Sequence, residues 1–473
     1  MADYSLVVIG GGLSGLAAAI RYARFDSSVL VLEKHSKPGG LNSYYRRRGY
    51  LLETGLHAMT NYSPPDARQA PLNLLLRQLK ISRKKIDFHE QQGSLIRYPD
   101  KSLFFSNDPD QLLTEIAQKF PHDIDGFRSL VSEIREYPDP TADSGGLSAR
   151  SYLENRLSDP LLIDMLLLPL MMYGNSAEHD LDLDLFIILF RSIFLEGLFR
   201  PAGTIKDFLD LLLEHYHYLG GAIRYQSEVR EVLTSGSRVV GVRLADGEDI
   251  SCDHLISTAG GPATSRLLPG ALKKEITGGR MSFFESIYIL PRESRHRLQV
   301  SPESRTGYYG NTNIFYNQRY DFAFQRPGQA VDPSWGVICF PGNFQDLPEP
   351  ETFQIRLTHA ANYEIWKGFS DGEYQEKKSL WAEKSREAVA PFLGSFYDEV
   401  VLEDSFTPLT VEKFTAKDCG AVYGSPDKIK SGKTAYDNLY LAGTDQGLLG
   451  IVGSMLSGVT MVNRHIFGQS YKM

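Results

Sequence analysis

The sequence predicts an α/β fold: a largely parallel sheet assembled from separated pieces of chain, with an α+β lobe inserted between them. Three stretches carry that prediction. The first is "LVVIGGGLSGLAAAIRYARF", an apolar run that enters a glycine cluster and leaves it through small residues. The second is "SVLVLEK", a short apolar run ending in an acid. The third, "DNLYLAGTDQGLLGIVGSMLSGVTMVNRHIF", repeats the order of run, glycine turn and small-residue helix near the other end of the chain.

"LVVI" is continuously apolar, the pattern of a strand buried on both faces of a parallel sheet. Gly10, Gly12 and Gly15 then form G-x-G-x-x-G. Gly10 permits a tight turn, Gly12 leaves room for a pyrophosphate, and Gly15 lets the helix approach the strand. The helix start offers free N–H groups and the positive end of its dipole. Alone such a triplet is a weak signal, because glycine-rich turns are common. The second run supplies the context: Glu33 follows Gly15 at close to the roughly 20-residue spacing at which a carboxylate accepts the ribose hydroxyls of an adenosine. This is the plan of a Rossmann-like dinucleotide-binding domain. Lys34, beside Glu33, reads by charge as a surface residue.

"PGGLNSYYRRRGYLLETGLHAM" comes next, with a second glycine pair at Gly39 and Gly40. A plain nicotinamide-binding unit has no use for it. A longer dinucleotide, whose pyrophosphate and flavin are threaded further along the protein, does. "GYLLETGLH" returns as strand, glycine turn and His57, while Arg46–Arg48 reads as a solvated basic edge. In the middle of the chain, "GGAIRYQSEVREVLTSGSRVVGVRLADGEDISCDHLISTAGG" reads as short strands with tight turns, the last ending in Ala259, Gly260 and Gly261.

With these motifs in hand, the whole chain from Val7 to Ile466 resembles the FAD-dependent phytoene desaturase, carotenoid isomerase and retinol saturase group. "PAGTIKDFLDLLLEHYHYLGGAIRYQSEV" resembles that group's middle motif. "TPLTVEKFTAKDCGAVYG" and "GTDQGLLGIVGS" look closest to the retinol saturase branch. Two departures stand out: Gln446, Gly447 and Leu448 replace the desaturases' usual Pro-Gly pair, and Glu53 stands where relatives often have Asp. The resemblance implies noncovalent FAD and a cofactor set of Gly10, Gly12, Leu13, Ser14, Gly15, Glu33, Lys34, Gly40, Leu41, Asn42, Gly55, His57, Val229, Ala259, Gly443, Asp445, Ile451 and Val452. Asp445 is expected near the phosphate–ribitol region, with the N–H groups of Ile451 and Val452 toward the pyrimidine edge of the ring. No catalytic acid or base is identified.

The expected division is a discontinuous FAD-binding domain, residues 1–63, 200–278 and 406–473, and a substrate lobe, residues 64–199 and 279–405. In the first insertion "LNLLLRQL", "PDQLLTEIAQKF" and "IDGFRSLVSEI" show apolar spacings of three and four, so it reads as helical, and "YPDPTADSGGL" reads as a turn-rich loop. In the second, "TNIFYNQRYDFAF" and "WGVICFPG" suit strands.

Length and composition agree with this division. The 473 residues are too many for one compact core, and 42% hydrophobic with 23% charged residues suits a soluble globular protein. A net charge of -8 gives no electrostatic reason to expect nucleic acid. Cys252, Cys339 and Cys419 lie far apart, which suits a reducing compartment, and no secretory signal is evident. Neither "LLIDMLLLPLMMYG" nor "LFIILFRSIFLEGLF" has the roughly 20 clean apolar residues of a spanning helix. The expectation is a cytoplasmic protein with peripheral membrane contact. His215 and His217, two apart on a helix, point to different faces and make a poor metal pair. Asp180, Asp182 and Asp184 start like a calcium loop without its later glycine and glutamate, so they read as an acidic turn.

The leading functional reading is redox chemistry at a carbon–carbon double bond of an apolar polyene. Leu161–Met172 and Leu185–Phe199 are apolar enough to line a substrate tunnel, and equally suited to being core helices. The alternatives are an amine-oxidase- or protoporphyrinogen-oxidase-type flavoprotein and, in another class, a lipid-binding chaperone resembling the Rab dissociation inhibitors. The C-terminal "LAGTD…GIVGS" speaks against the chaperone, because a second glycine turn serves a flavin.

Overall fold

The computed structural model describes residues 2–138, 146–269, 276–298, 312–317, 322–348 and 350–468. The opening strand Tyr4–Ile9 pairs in parallel with Val29–Leu32 on one side and with Asp249–Ser257 on the other. Ala222–Arg224 extends the sheet in parallel beyond Val29–Leu32, and Leu439–Leu441 pairs in parallel with Asp249–Ser257. That last strand is nine residues long and serves two purposes. Its first half is antiparallel to Arg238–Leu244, which continues to Val229–Ser235, and its second half lies in the parallel sheet. Both faces of the centre are covered, as the unbroken apolar runs require: Leu6, Val7, Val8, Val29, Leu30 and Val31 are fully buried.

The opening helix, Leu13–Ala23, and the closing helix, Gly450–Met461, cover one face together. Their approach depends on missing side chains. A Cβ on Gly458 would lie 2.1 Å from the carbonyl oxygen of Ser14, so only glycine lets the backbones come this close. The chain's small residues at Ala17, Ala18 and Ala19 are fully buried in the same cluster.

A second seven-stranded sheet, among the described residues, runs Leu402–Phe406, Ser282–Pro291, Thr352–Ala361, Val331–Cys339, Thr312–Tyr316, Ser94–Arg97 and Ser102–Phe105. Its ladders are antiparallel except for Thr312–Tyr316 against Ser94–Arg97. The aromatic stretches read as strands at 312–316 and 331–339 are strands. The first insertion differs from its helical reading. Besides helices Pro71–Leu79, Pro109–Lys119 and Ile124–Glu136 it supplies Phe88–Glu90, Ser94–Arg97 and Ser102–Phe105 to sheets. Strands of three or four residues show too little alternation to be read: Phe88–Glu90 owes its existence to residues 199–201, Ser94–Arg97 to 312–315, and Ser102–Phe105 to Ser94–Arg97. Most of the loop at "YPDPTADSGGL", residues 139–145, lies outside the described residues.

The helices Pro160–Gly174 and Leu183–Phe190 sit inside the lobe's largest apolar cluster. Leu166, Leu167, Leu168, Phe186 and Phe190 are fully buried, so the first of the two tunnel candidates is core. The second continues into a single π-helical turn, Arg191–Leu195, whose Phe194 and Leu195 share a cleft of about 390 Å³ with Phe190 and with the charged Asp110, Arg128, Arg135 and Glu136. Among the described residues no helix is long and apolar enough to cross a membrane.

Candidate functional site

The glycines of the first turn do different things. Gly10 has φ +103° and a Cβ there would meet the Thr258 hydroxyl at 2.4 Å; a Cβ on Gly15 would meet the Gly10 carbonyl oxygen at 2.0 Å. Both are demanded by packing. A Cβ on Gly12 would find nothing nearer than the Gly39 carbonyl oxygen at 3.9 Å, in ordinary extended backbone at φ −70°. The absent side chain at Gly12 is therefore not required by the protein's own packing.

Around that open space lie unused donors. Gly12 is the N-cap of the opening helix, and no side chain caps its first turn. The Ser14 hydroxyl is buried with no hydrogen-bond partner. Across from it stands Gly443, φ +95°, whose Cβ would lie 3.7 Å from that of Ser14. An anionic diphosphate fits this arrangement: the helix start, the serine hydroxyl and the gap at Gly12 all serve a phosphate, and none is consumed by the chain.

Glu33, 8% exposed, lies beside the turn. Its carboxylate accepts the Gly11 N–H at 2.7 Å and the His35 N–H at 2.7 Å, one on each oxygen. Each oxygen keeps a lone pair for a further donor such as a ribose hydroxyl. Lys34 is exposed, and Val229 is 7% exposed inside the neighbouring apolar cluster, so by its side chain it packs the sheet. Ala259 follows Thr258, whose N–H and hydroxyl both bond to the Ile9 carbonyl at 2.9 Å.

The second glycine pair docks on the first turn. Gly39 bridges to Gly12, donating its N–H to the Gly11 carbonyl at 2.9 Å, and Gly40 follows at φ +58°. Leu41 and Asn42 form one turn, against which Gly55 packs so closely that a Cβ would lie 2.4 Å from the Leu41 carbonyl oxygen. Gly12, Gly40, Leu41, Asn42, Gly55 and His57 thus form one run, and all six keep accessible surface. At its end the His57 ring reaches Glu285 at 3.1 Å.

The C-terminal turn stands across from the opening helix through Gly443 and Ser14, and its acid is turned into the protein. Asp445 is 2% exposed and its carboxylate is engaged inward: it accepts the N–H of Gly261 at 2.6 Å and that of Ser425 at 2.9 Å. Burial alone would raise its pKa, but Lys417, Lys428 and those two donors hold it below the ordinary value. The side chain ties the turn at 443–446 to residues 261 and 425. Ile451 and Val452 are buried in the first turn of the closing helix, which no side chain caps, so their N–H groups remain available at its end.

Three groups received no site role from the sequence. Glu53 is 4% exposed, forms a buried ion pair with Arg200 and accepts the Ile205 N–H at 2.5 Å, so it anchors the start of helix Ile205–Tyr218. Glu285 lies between His57 and the fully buried Arg356, and also accepts the Thr358 hydroxyl at 3.1 Å. Burial opposes its charge, but Arg356 and His57 prevail and bring its pKa down to about 2. Arg356 donates to the Thr54 carbonyl at 2.9 Å, joining the second sheet to the loop that carries Gly55 and His57. The third is Glu196, held by Asn61 at 2.8 Å. These pairs join residues from 71 to 228 positions apart, so no local pattern announces them. The residues set aside stay so: His215 and His217 bond to the carbonyls of Leu79 and Gly221, and Asp182 caps Leu183–Phe190.

The chain is similar along its length to known proteins. All-trans-retinol 13,14-reductase of Danio rerio is 21% identical, over 100% of this chain and 88% of its own. Prolycopene isomerase of Arabidopsis thaliana is 24% identical, over 98% of this chain and 82% of its own. The solved structure of an oxidoreductase from Methanosarcina mazei superposes with a TM-score of 0.66 at 19% identity, covering 97% of this chain and 99% of its own. The model of the family described as flavin containing amine oxidoreductase matches residues 13–291, well over half the chain and including the glycine turn's helix, Glu33, the second glycine pair and Ala259; the protein belongs to that family.

Proposed function

We propose that the protein is an FAD-dependent oxidoreductase acting on a carbon–carbon double bond of a hydrophobic polyene. The observation that carries this reading is the full-length likeness to relatives named for retinol reduction and prolycopene isomerisation. The lobe supports it: Phe190, Phe194 and Leu195 give a cleft an apolar side that suits a hydrocarbon substrate, and contact with a membrane surface is how such a substrate would reach it.

In this reading FAD is held without a covalent bond and supplies hydride chemistry. The first turn of the opening helix, the Ser14 hydroxyl and Gly12 receive the pyrophosphate, and Glu33 the adenosine ribose. Gly40, Leu41, Asn42, Gly55 and His57 guide the remainder along the protein. The N–H groups of Ile451 and Val452 steady the ring's pyrimidine edge. Residues 1–63, 200–278 and 406–473 make up this domain, and residues 64–199 and 279–405 the substrate lobe. The buried Glu285–Arg356 pair fixes the loop at Thr54 and orients His57, while the apolar lobe excludes water. Such a site acts mainly by positioning.

The test is anaerobic. The bound flavin is photoreduced, then mixed with a panel of polyenes and amines while its spectrum and the products are followed. Reoxidation with loss of one polyene double bond supports the proposal. Rapid reduction of the oxidised flavin by an amine, with every polyene inert, overturns it.

A further inference from the structure

Saturating a carbon–carbon double bond requires a hydride and a proton. A reduced flavin is the hydride source, but a hydrocarbon substrate carries no acidic hydrogen, so the proton has to come from the protein or from water. Glu196 has the features of a residue placed for that task. It follows the π-helical turn Arg191–Leu195, an element often found where a helix is distorted for function. Its carboxylate is held at 2.8 Å by the amide of Asn61, a neutral donor. Asn61 itself sits in left-handed backbone at φ +69°, which asparagine tolerates better than most non-glycine residues. Its N–H bonds to the Ser192 carbonyl of the same π turn at 3.2 Å, and its side-chain oxygen accepts from Thr60 at 2.9 Å.

Thr60 provides the link to the cofactor site. Its hydroxyl oxygen lies 2.8 Å from where a Cβ on Gly450 would stand, at the uncapped start of the closing helix. Glu196, Asn61, Thr60 and Gly450 therefore form one continuous contact path from the apolar lobe to the helix end that carries Ile451 and Val452. On the lobe side the preceding residues, Phe194 and Leu195, line the cleft.

Among the described residues, Arg191 and Glu90 are charged groups on elements beside Glu196. Arg191, on its own turn, directs its guanidinium to the carbonyls of Ile134 and Tyr137, at 2.8 Å each. Glu90, on the adjoining strand Phe88–Glu90, is engaged by Asn107 at 3.0 Å. Burial is the dominant influence and raises the Glu196 pKa to about 7, against smaller opposing effects of Asn61 and Arg191. A carboxyl group there is in large part protonated at neutral pH, the condition a general acid needs.

From this geometry we infer that Glu196 is the proton-transfer group for the chemistry at the double bond, an inference that rests on the proposed function. In the saturating direction the π electron pair forms a carbon–hydrogen bond with the carboxyl proton as the O–H bond breaks. The hydride from the reduced flavin completes the other carbon, so the flavin is oxidised by two electrons and the alkene reduced by two. The carboxylate then regains a proton from water. In the opposite direction it accepts the proton.

Two measurements on the FAD-loaded protein test this. Infrared difference titration without substrate should show a protonated carboxyl band disappearing with a midpoint near about 7 in the wild type and missing in Glu196→Gln. Single-turnover oxidation of the photoreduced enzyme by all-trans-retinol or prolycopene should slow about ten-fold per pH unit above that midpoint. Glu196→Gln should be slower by about 10²- to 10⁴-fold at low pH, lack that pH dependence and keep its FAD, with Glu196→Asp partly restoring both. A missing band, or a Glu196→Gln variant with wild-type rate and pH profile, overturns the role of Glu196 alone. A wild type inert toward every polyene, although the band titrates as expected, overturns the proposed function instead.

Discussion

Replacing Gly12 or Gly15 by alanine adds the same methyl group to the same turn, yet the structure separates the two consequences. At Gly15 the new Cβ would stand 2.0 Å from the Gly10 carbonyl oxygen and 3.3 Å from the Thr258 hydroxyl. The first contact is with backbone, more than 1 Å inside an ordinary carbon–oxygen contact, so the helix has to lift from the strand. Overpacking of this kind costs about 1–3 kcal/mol, and here the strained atoms are the Gly10 backbone of the turn that joins the strand to the helix and the Thr258 hydroxyl beside it. At Gly12 the Cβ meets nothing within 3.9 Å, and φ −70° suits alanine. Loss of a glycine N-cap and reduced freedom of the unfolded chain are both effects of a few tenths to about 1 kcal/mol, with opposite signs. Gly12→Ala apoprotein should therefore unfold within about 0.5 kcal/mol of the wild type. Its methyl occupies the space assigned to the pyrophosphate, so FAD affinity should fall at least about 100-fold, or about 2.7 kcal/mol. Urea unfolding of apoprotein, paired with FAD titration by fluorescence quenching, reads both quantities. The reasoning is refuted if Gly12→Ala binds FAD like the wild type, or if Gly15→Ala is as stable as Gly12→Ala without cofactor.

Arg200→Met strands the buried Glu53 carboxylate and should cost about 3–5 kcal/mol by denaturant unfolding, with less loss in Arg200→Met/Glu53→Gln. Glu285 has a folded pKa of about 2, below its ordinary 4.5, so its contribution is complete above pH 4.5 and lost as pH falls toward 2. Glu285→Gln should flatten the acid limb of a stability–pH curve, and an unchanged limb would exclude this source. Glu196 has the opposite sign: its folded pKa of about 7 exceeds the ordinary 4.5, so it lowers stability progressively as pH rises from 4.5 through 7. Glu196→Gln apoprotein should exceed the wild type by up to about 3 kcal/mol at pH 8 and match it at pH 4, read by urea midpoints. Glu33→Gln should retain the fold, because an amide oxygen still accepts one of the two N–H groups, while FAD binding weakens about ten-fold in equilibrium dialysis.

The glycine turn, Glu33 at its spacing, the second glycine pair and the small-residue closing helix were legible because each is a local requirement. A backbone at positive φ or a helix pressed on a strand restricts the residue at that position whatever the rest of the chain does. Short strands such as Phe88–Glu90 were not legible, since three residues define no period and their pairing with residues 199–201 decides their state. Asp445 shows the boundary within one residue. Its place at the turn followed from the motif, but its inward bonds to Gly261 and Ser425 depend on segments 184 and 20 residues away.

By itself, then, the chain's order of residues determined the sheet's first strands and the glycine turn at Gly12, since hydrophobic periodicity and backbone sterics act over a few residues. Only the tertiary structure decided which charges are buried together. Glu53 found Arg200, Glu285 found Arg356 and His57, and Glu196, partly buried, found the neutral amide of Asn61 with Arg191 near it. The protonation state of a carboxyl group depends on the desolvation and charge within a few ångströms, and those neighbours come from strands and helices that only folding brings together.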